Sequence, residues 1–131
     1  MSGTAYIVFA HGSSIESANE AVREAAGDMA LRGGFGLVRA AFLEGGRPDL
    51  RGAVDEVAAL GASRVVVIPY FLTLGLHLQR DLPRLVESLE QAHPDLSVEV
   101  TAPLDGHPGM VDALVDRARE SAQPRTPEEG G

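Results

Sequence analysis

Four apolar runs alternate along the chain with longer stretches that carry helical periodicity. The runs predict strands over residues 5–10, 35–43, 64–69 and 97–101. In the stretches that follow them, apolar residues recur three and four positions apart, which predicts helices over residues 15–32, 48–60, 78–92 and 109–119. Four alternating strand–helix units are typical of an α/β fold, in which a parallel sheet carries helices on both faces. We therefore expect a four-stranded, flavodoxin-like sheet with the strand order 2-1-3-4.

The length of the chain fits one domain, and no linker divides it. A chain of 131 residues can bury a hydrophobic core without disulfides or metals, and we assign residues 1–120 to a single α/β domain. Residues 121–131 contain two prolines and end in Glu128-Glu129-Gly130-Gly131, a composition that predicts a disordered acidic tail. The start lacks a basic segment and leads straight into the first strand, so we expect no signal peptide.

Composition and charge argue against several classes of partner. The chain has no cysteine, which excludes disulfides and thiolate metal sites and makes the cytoplasm the expected location. No apolar run approaches the ~20 residues that span a bilayer. The net charge of -8, from 19 acidic and 11 basic residues, argues against nucleic acid and anionic membranes, because both bind a positive face. An acidic substrate would need a local group of arginines.

Polar residues with useful chemistry follow all four predicted strands. His11, Glu44, His77 and His107 come after strands one to four in turn. Ligands of open parallel sheets bind beyond the carboxyl ends of the strands, near the point where the strand order switches. His93 lies between a helix and the next strand, at the opposite edge of the sheet, and we assign it no function. The sequence therefore predicts a site formed by loop residues at one edge.

The expected strand order selects two of these histidines. Strands one and three are neighbours at the switch point, so His11 and His77 should face each other. Two imidazoles with a carboxylate such as Glu44 suit a divalent first-row transition metal. Each residue also has a purely structural interpretation: His11 as a helix cap, His77 as a hydrogen-bonded, partly buried histidine, and Glu44 as a solvated loop acid. His107 precedes a helix, which favours a capping or turn role.

Other site chemistries fit the sequence less well. The glycines of the segment 33–36 precede a strand instead of following one, so they do not form a dinucleotide or phosphate loop. The chain contains neither lysine nor a Gly-x-Ser-x-Gly nucleophile elbow. A small hydrolase that uses His11 and Ser13 is a third hypothesis, and it would be insensitive to a metal chelator.

Five short motifs occur in a fixed order along the chain. They are His11-Gly12-Ser13, Phe42-Leu43-Glu44 with Pro48, Pro69-Tyr70-Phe71-Leu72, Gly75-x-His77-x-x-x-Asp81-x-Pro83 and Pro103-Leu104-x-Gly106-His107-Pro108. Together they resemble the short class II chelatases, the sirohydrochlorin cobaltochelatases or ferrochelatases of CbiX type. The resemblance extends from about Thr4 to Arg119.

The resemblance implies an activity and an assembly. Chelatases of this family insert a divalent metal (Co²⁺, Fe²⁺ or Ni²⁺) into sirohydrochlorin without ATP or an organic cofactor, in cobalamin and siroheme biosynthesis. His11 and His77 match the family's metal-binding and catalytic histidines. Short members resemble half of a larger chelatase, so a chelatase half-domain that forms a homodimer is implied. A non-catalytic metal or tetrapyrrole carrier on the same scaffold is the alternative.

The residues around these histidines fit the same chemistry. A macrocycle loses two pyrrole protons when it takes up a metal, and imidazoles can both bind metal and accept protons near neutral pH. Glu44 could bring in the metal or take up a proton. Candidate substrate-binding residues are a serine near His11, apolar or small residues near His77, and two arginines that could pair with substrate carboxylates: Ser13, Tyr70, Phe71, Leu74, Gly75, Leu76, Arg47 and Arg80.

The chain departs from the family pattern at two places. Ser14-Ile15-Glu16 stand where the family often has Arg-Asp-Pro, and Leu76 stands where a basic or small residue is frequent. Both changes remove possible polar contacts from the expected site. They therefore bear on which substrate is used.

Overall fold

Eight elements alternate along the chain, and the computed structural model describes them over residues 3–72 and 75–121. They are β1 (Gly3–Ala10), α1 (Glu16–Gly33), β2 (Val38–Phe42), α2 (Leu50–Ala59), β3 (Ala62–Pro69), α3 (Leu76–Ala92), β4 (Ser97–Val100) and α4 (Pro108–Ser121). The strands form one parallel sheet in the order β2-β1-β3-β4. The predicted α/β class and strand order are therefore confirmed. Ser121, predicted to begin the tail, ends α4, and the rest of the predicted tail lies outside the described residues.

The sheet has a hydrophobic core on each face, because side chains alternate along its strands. Ile7 of β1 is fully buried on one face, where it belongs to a cluster with Val54 of α2 and Leu89 of α3. Val8, its neighbour in sequence, lies on the other face in a cluster with Ala26 of α1. Burial of a large aliphatic side chain contributes about 1.5–3 kcal/mol. The clusters on the two faces thus hold the carboxyl ends of the strands in fixed register for the site.

Two helix starts differ from the prediction in ways that matter for the site. α2 begins two residues later than expected, because the Asp49 carboxylate caps it by accepting a hydrogen bond of 2.8 Å from the Gly52 N–H. α3 begins two residues earlier than expected, at Leu76, with Gly75 as its N-cap. His77 therefore stands in the first turn of a helix and not in a loop.

The last helix, α4, buries none of its described residues. Val111, Leu114 and Val115 share one face of it by their spacing, but they are 60%, 68% and 39% exposed. An apolar helix face of this kind normally packs against another element. In this chain the face is left open to solvent.

Candidate functional site

The carboxyl ends of β1 and β3 lie side by side at the strand-order switch, and a cleft opens there. It has a volume of about 460 Å³, within the range of roughly 300–1,000 Å³ typical of small-molecule sites. Its lining includes two histidines, one carboxylate and mainly apolar residues: His11, Leu43, Phe71, Gly75, Leu76, His77, Leu78 and Asp81. The structure therefore brings His11 and His77 together, as the strand order predicted.

His11 is held at the end of β1 by its surroundings. Its ring lies edge-on to Phe71, with centroids 6.3 Å apart and planes at 82°. Phe71 lies edge-on to the buried Phe9 in turn, with centroids 6.1 Å apart. The His11 Nδ1 is 3.3 Å from the Gly12 carbonyl oxygen, and Nε2 has no hydrogen-bond partner among the described residues. The ring is thus oriented by packing while one nitrogen stays available to a ligand.

His77 has an exposed side chain in the first turn of α3. Within residues 3–72 and 75–121, neither of its ring nitrogens makes a hydrogen bond. The alternative interpretation, a partly buried histidine with satisfied hydrogen bonds, is therefore wrong. Both nitrogens remain available for a metal or a proton.

The other two histidines have structural partners. His93 Nε2 lies 2.6 Å from an Asp55 carboxylate oxygen, and this hydrogen bond is the main reason why the pKa of Asp55 lies below its usual value. His107 Nδ1 accepts a hydrogen bond of 2.9 Å from the Gly109 N–H in the first turn of α4. His107 thus has the capping role that its position favoured. His93 joins α2 to the end of α3, remote from the carboxyl edge.

Glu44 and Arg47 line a second, larger cleft of about 730 Å³, formed by the segment between β2 and α2. Leu43 lines both clefts, so the two adjoin each other. In the part of the chain that the structure describes, no three metal-ligating side chains are grouped closely enough to hold an ion. Glu44 is therefore a neighbour of the histidine pair and not part of a preformed three-ligand site.

The remaining predicted site residues have varied surroundings. The Ser13 hydroxyl accepts a hydrogen bond of 3.0 Å from the Ile15 N–H. Tyr70 is 40% exposed, and its N–H donates to the Phe9 carbonyl at 2.7 Å. Arg80 is exposed on α3, and no carboxylate of the described residues pairs with it. Leu74 lies outside the described residues.

Two residues near the site were missed by the sequence analysis as site residues. Asp81 lines the histidine cleft, and its place in the Gly75-x-His77-x-x-x-Asp81 motif was the signal that could have identified it. Asn19 is only 2% exposed and binds the loops beside the cleft. A single asparagine inside a helical pattern carries no comparable signal, because its partners are distant in sequence.

The loops after β1 and β2 touch through their backbones. The Glu44 N–H donates a hydrogen bond of 3.0 Å to the His11 carbonyl. Gly12 has a φ of 93°, and a Cβ atom at this position would overlap the Glu44 carbonyl oxygen. Glycine is therefore required at position 12, both for its φ and for the space that it leaves.

No helix within residues 3–72 and 75–121 is both long enough and apolar enough to cross a bilayer. This agrees with the absence of a long apolar run in the sequence.

Comparisons with known proteins find relatives along most of the chain. A sequence model of the CbiX family matches residues 5–121. An Arabidopsis thaliana protein, the chloroplastic sirohydrochlorin ferrochelatase, is 32% identical over 111 residues, which are 85% of this chain and 49% of that protein. The sirohydrochlorin cobaltochelatase of Methanocaldococcus jannaschii is 26% identical over 138 residues, and the match covers 87% of this chain and 96% of that protein.

A solved structure shares the fold. The crystal structure of a CbiX protein from Marinobacter aquaeolei superposes with a TM-score of 0.80 at 27% identity, covering 90% of this chain and 96% of that one. The chain spans about half the length of the plant relative and nearly the full length of the archaeal protein and of the Marinobacter protein.

Proposed function

Because the chain belongs to the CbiX family, we propose that it inserts a divalent metal into sirohydrochlorin or a related tetrapyrrole without ATP. Its relatives are named for this reaction with cobalt or with iron, and nickel has the same preference for nitrogen and oxygen ligands. The metal is a substrate, and no organic cofactor takes part. The cytoplasm stays the predicted location.

One observation carries the proposal. His11 and His77 line the same cleft, and each has at least one ring nitrogen with no partner among the described residues. His93 and His107 each use one ring nitrogen for a structural hydrogen bond, and neither lines this cleft. The two histidines that share the cleft therefore both have a nitrogen available there, which is the arrangement that a metal-handling site requires.

The proposed mechanism follows from the balance of charge and protons. Metallation exchanges two pyrrole protons for one divalent ion, so the site must hold the ion and accept protons. The imidazoles of His11 and His77 bind the incoming ion while it loses water. As the ion passes to the ring nitrogens of the macrocycle, the same imidazoles take up pyrrole protons. Glu44, which lines the adjoining cleft, binds the metal as it approaches or accepts a proton.

The surroundings of the histidines support a flat, acidic macrocycle as the second substrate. Phe71 and Leu76 give the cleft apolar sides, and Gly75 leaves room beside them. Arg47 lines the adjoining cleft, and its guanidinium has no carboxylate partner among the described residues. We assign Arg47 and Arg80 to the carboxylates of the substrate, which supplies local positive charge in a chain of net charge -8. Ser13 and Tyr70 complete the proposed substrate contacts.

A metallation assay tests this function directly. Sirohydrochlorin mixed with Co²⁺, Fe²⁺ or Ni²⁺ in turn is followed by the absorbance change of the macrocycle, with and without the protein. We expect the protein to raise the rate with at least one metal by roughly 10²-fold or more, the scale that positioned proton acceptors supply. Binding of metal or macrocycle without any acceleration would instead identify a carrier, and the enzyme proposal would be wrong.

We further propose that two copies of the chain form a homodimer through the apolar face of α4, defined by Val111, Leu114 and Val115. This face is exposed in the single chain. The chain also spans about half the length of its plant relative, so a second copy would correspond to the other half of that protein. A pair of such faces is self-complementary, as a two-fold interface requires.

Replacing Leu114 with glutamate should convert the dimer to a monomer, because a buried carboxylate without a partner opposes association. Size-exclusion chromatography with light scattering, over a range of concentrations, measures the mass. Leu31→Glu is the matched control, since Leu31 is 83% exposed on a different helix, α1, and the mass of this variant should stay that of the wild type. A monomeric wild-type chain, or a dimeric Leu114→Glu variant, would contradict the proposed interface.

A further inference from the structure

Asn19, at the end of the first turn of α1, has a side chain buried against two loops. Only 2% of it is exposed, and among the described residues no other polar or charged residue is buried. The loop after β1, residues 11–15, carries His11, and the loop after β2, residues 43–49, carries Glu44 and Arg47. We refer to them as loop 1 and loop 2. Asn19 belongs to neither loop but contacts both.

The Asn19 amide uses its acceptor and its donors on the backbone of these loops. The Ser13 N–H donates to Asn19 Oδ1 at 2.9 Å, and Asn19 Nδ2 donates to the Ser13 carbonyl at 2.9 Å. The same nitrogen donates to the Gly45 carbonyl at 3.0 Å, and at the longer distance of 3.3 Å to a Glu16 carboxylate oxygen. One side chain thus fixes loop 1 at Ser13 and loop 2 at Gly45.

A second side chain of α1 binds loop 2 one turn later. Arg23 donates to the Arg47 carbonyl at 3.1 Å, and its guanidinium lies over the Phe42 ring, 5.3 Å from the centroid. Ion pairs of 3.0 Å with Glu16 and Glu20 hold the Arg23 side chain in place. Asn19 and Arg23 therefore bind two carbonyls of loop 2 from one face of α1.

The two loops are also packed against each other without space for adjustment. Besides the contact of Gly12 with the Glu44 carbonyl, a Cβ atom on Gly45 would lie 2.9 Å from the carbonyl carbon of Ser13. A shift of loop 1 must therefore move loop 2 as well. The amide of Asn19 sits where both loops meet, so its hydrogen bonds act with these contacts on their relative position.

We propose that Asn19 is a positioning residue that sets the place of His11 relative to Glu44 and Arg47, an inference that rests on the proposed metal insertion. Asn19 is buried beneath the loops and lines neither the histidine cleft nor the adjoining one. Removal of its amide leaves the Ser13 N–H, the Ser13 carbonyl and the Gly45 carbonyl without their partner. These groups are only partly buried, so without a partner they recruit water or move apart. A displacement of about 1 Å at a catalytic group can cost on the order of 10²-fold in rate.

The test compares Asn19→Ala with a core variant that is remote from the loops. Val57→Ala shortens a fully buried side chain of α2, and it should lower the melting temperature without changing the loops. For Asn19→Ala we expect kcat for metallation to fall by roughly 10- to 10²-fold, with little change in KM for the macrocycle. Hydrogen exchange at the Ser13 and Glu44 amides should become faster, whereas in Val57→Ala both the exchange and kcat should stay at wild-type values.

A second substitution separates the acceptor role of the Asn19 amide from its donor role. It also provides a test if Asn19→Ala does not fold. Asn19→Asp keeps an oxygen acceptor for the Ser13 N–H, but it loses the donors to the Ser13 and Gly45 carbonyls. We expect it to retain protection at the Ser13 amide and still to lose kcat, since the link to loop 2 is broken. Wild-type kcat in Asn19→Asp, or the same loss of kcat in Val57→Ala at equal loss of melting temperature, would overturn the positioning role.

These readouts distinguish failure of this inference from failure of the proposed function. A wild-type protein that does not accelerate metallation refutes the function, and exchange at the Glu44 amide still reports whether Asn19 joins the loops. Unchanged exchange at Ser13 and Glu44 in Asn19→Ala refutes the inference whether or not the wild type is active.

Discussion

Replacing His77 with alanine is expected to lower the metallation rate by roughly 10²–10⁴-fold, the range attributed to a positioned proton acceptor. His11→Ala should have an effect of the same order, because both imidazoles line the cleft and both have nitrogens available for the metal. The two side chains are exposed, so the free energy of unfolding should change by no more than ~0.5 kcal/mol. The rate is followed by the absorbance of the macrocycle, and stability by thermal unfolding.

His93→Ala is the matched control for these substitutions. It removes an imidazole of the same kind at the opposite edge of the sheet, together with its 2.6 Å hydrogen bond to Asp55. We expect a loss of stability of about 0.5–1 kcal/mol and a metallation rate equal to that of the wild type. Full activity in both His11→Ala and His77→Ala would contradict the assigned roles, and so would a loss of activity in His93→Ala as large as theirs.

Replacing Gly12 with alanine should destabilise the fold by about 3 kcal/mol or more and abolish metallation. The alanine Cβ would overlap the Glu44 carbonyl oxygen, and the backbone at this position has a φ of 93°, which non-glycine residues adopt only with strain. Relief of the overlap requires loop 1 and loop 2 to separate, which displaces His11. Denaturant unfolding gives the stability, and the macrocycle assay gives the activity.

Gly61→Ala separates strain in the backbone from the overlap. Gly61 has a φ of 100° between α2 and β3, with open space where a Cβ would stand. Its replacement should cost only the conformational penalty, about 1–2 kcal/mol, and should leave the metallation rate unchanged. If Gly12→Ala were no more destabilising than Gly61→Ala, the close contact of the two loops would not constrain the site as described.

The fold and the place of the site follow from features that are local in the sequence. Apolar runs and helical periodicity identify strands and helices, and four alternating units leave few possible topologies. Once β1 and β3 are neighbours, residues that follow them meet at one edge, so the sequence alone is enough to pair His11 with His77. The same rule placed His93 at the opposite edge.

The start of α3 could not be predicted with the same accuracy. Gly75 is the N-cap and has no side chain that could cap α3, so the sequence contains no polar capping residue that marks the boundary. His77 was consequently expected in a loop, although it lies in the first helical turn. Helix ends without a polar cap are set by the packing of the following turns, which is information that neighbouring residues do not carry.

The role of Asn19 was equally hidden, for a different reason. Its partners, Ser13 and Gly45, are 6 and 26 residues away, and they offer only backbone atoms. Any residue type presents the same N–H and carbonyl groups, so no sequence pattern distinguishes the loops that Asn19 joins. Such a contact becomes visible only when the sheet has brought the two loops together.

Leu76 gives the cleft a side that can evolve independently of the fold. It lines the cleft while 72% of it is exposed, and substitutions at exposed positions usually change stability by less than ~0.5 kcal/mol. His11, in contrast, belongs to a loop that contains Gly12 and is bound by the buried amide of Asn19, and neither position tolerates much change. Selection, natural or in the laboratory, can therefore explore new ligand preferences at position 76 while the rest of the molecule stays intact.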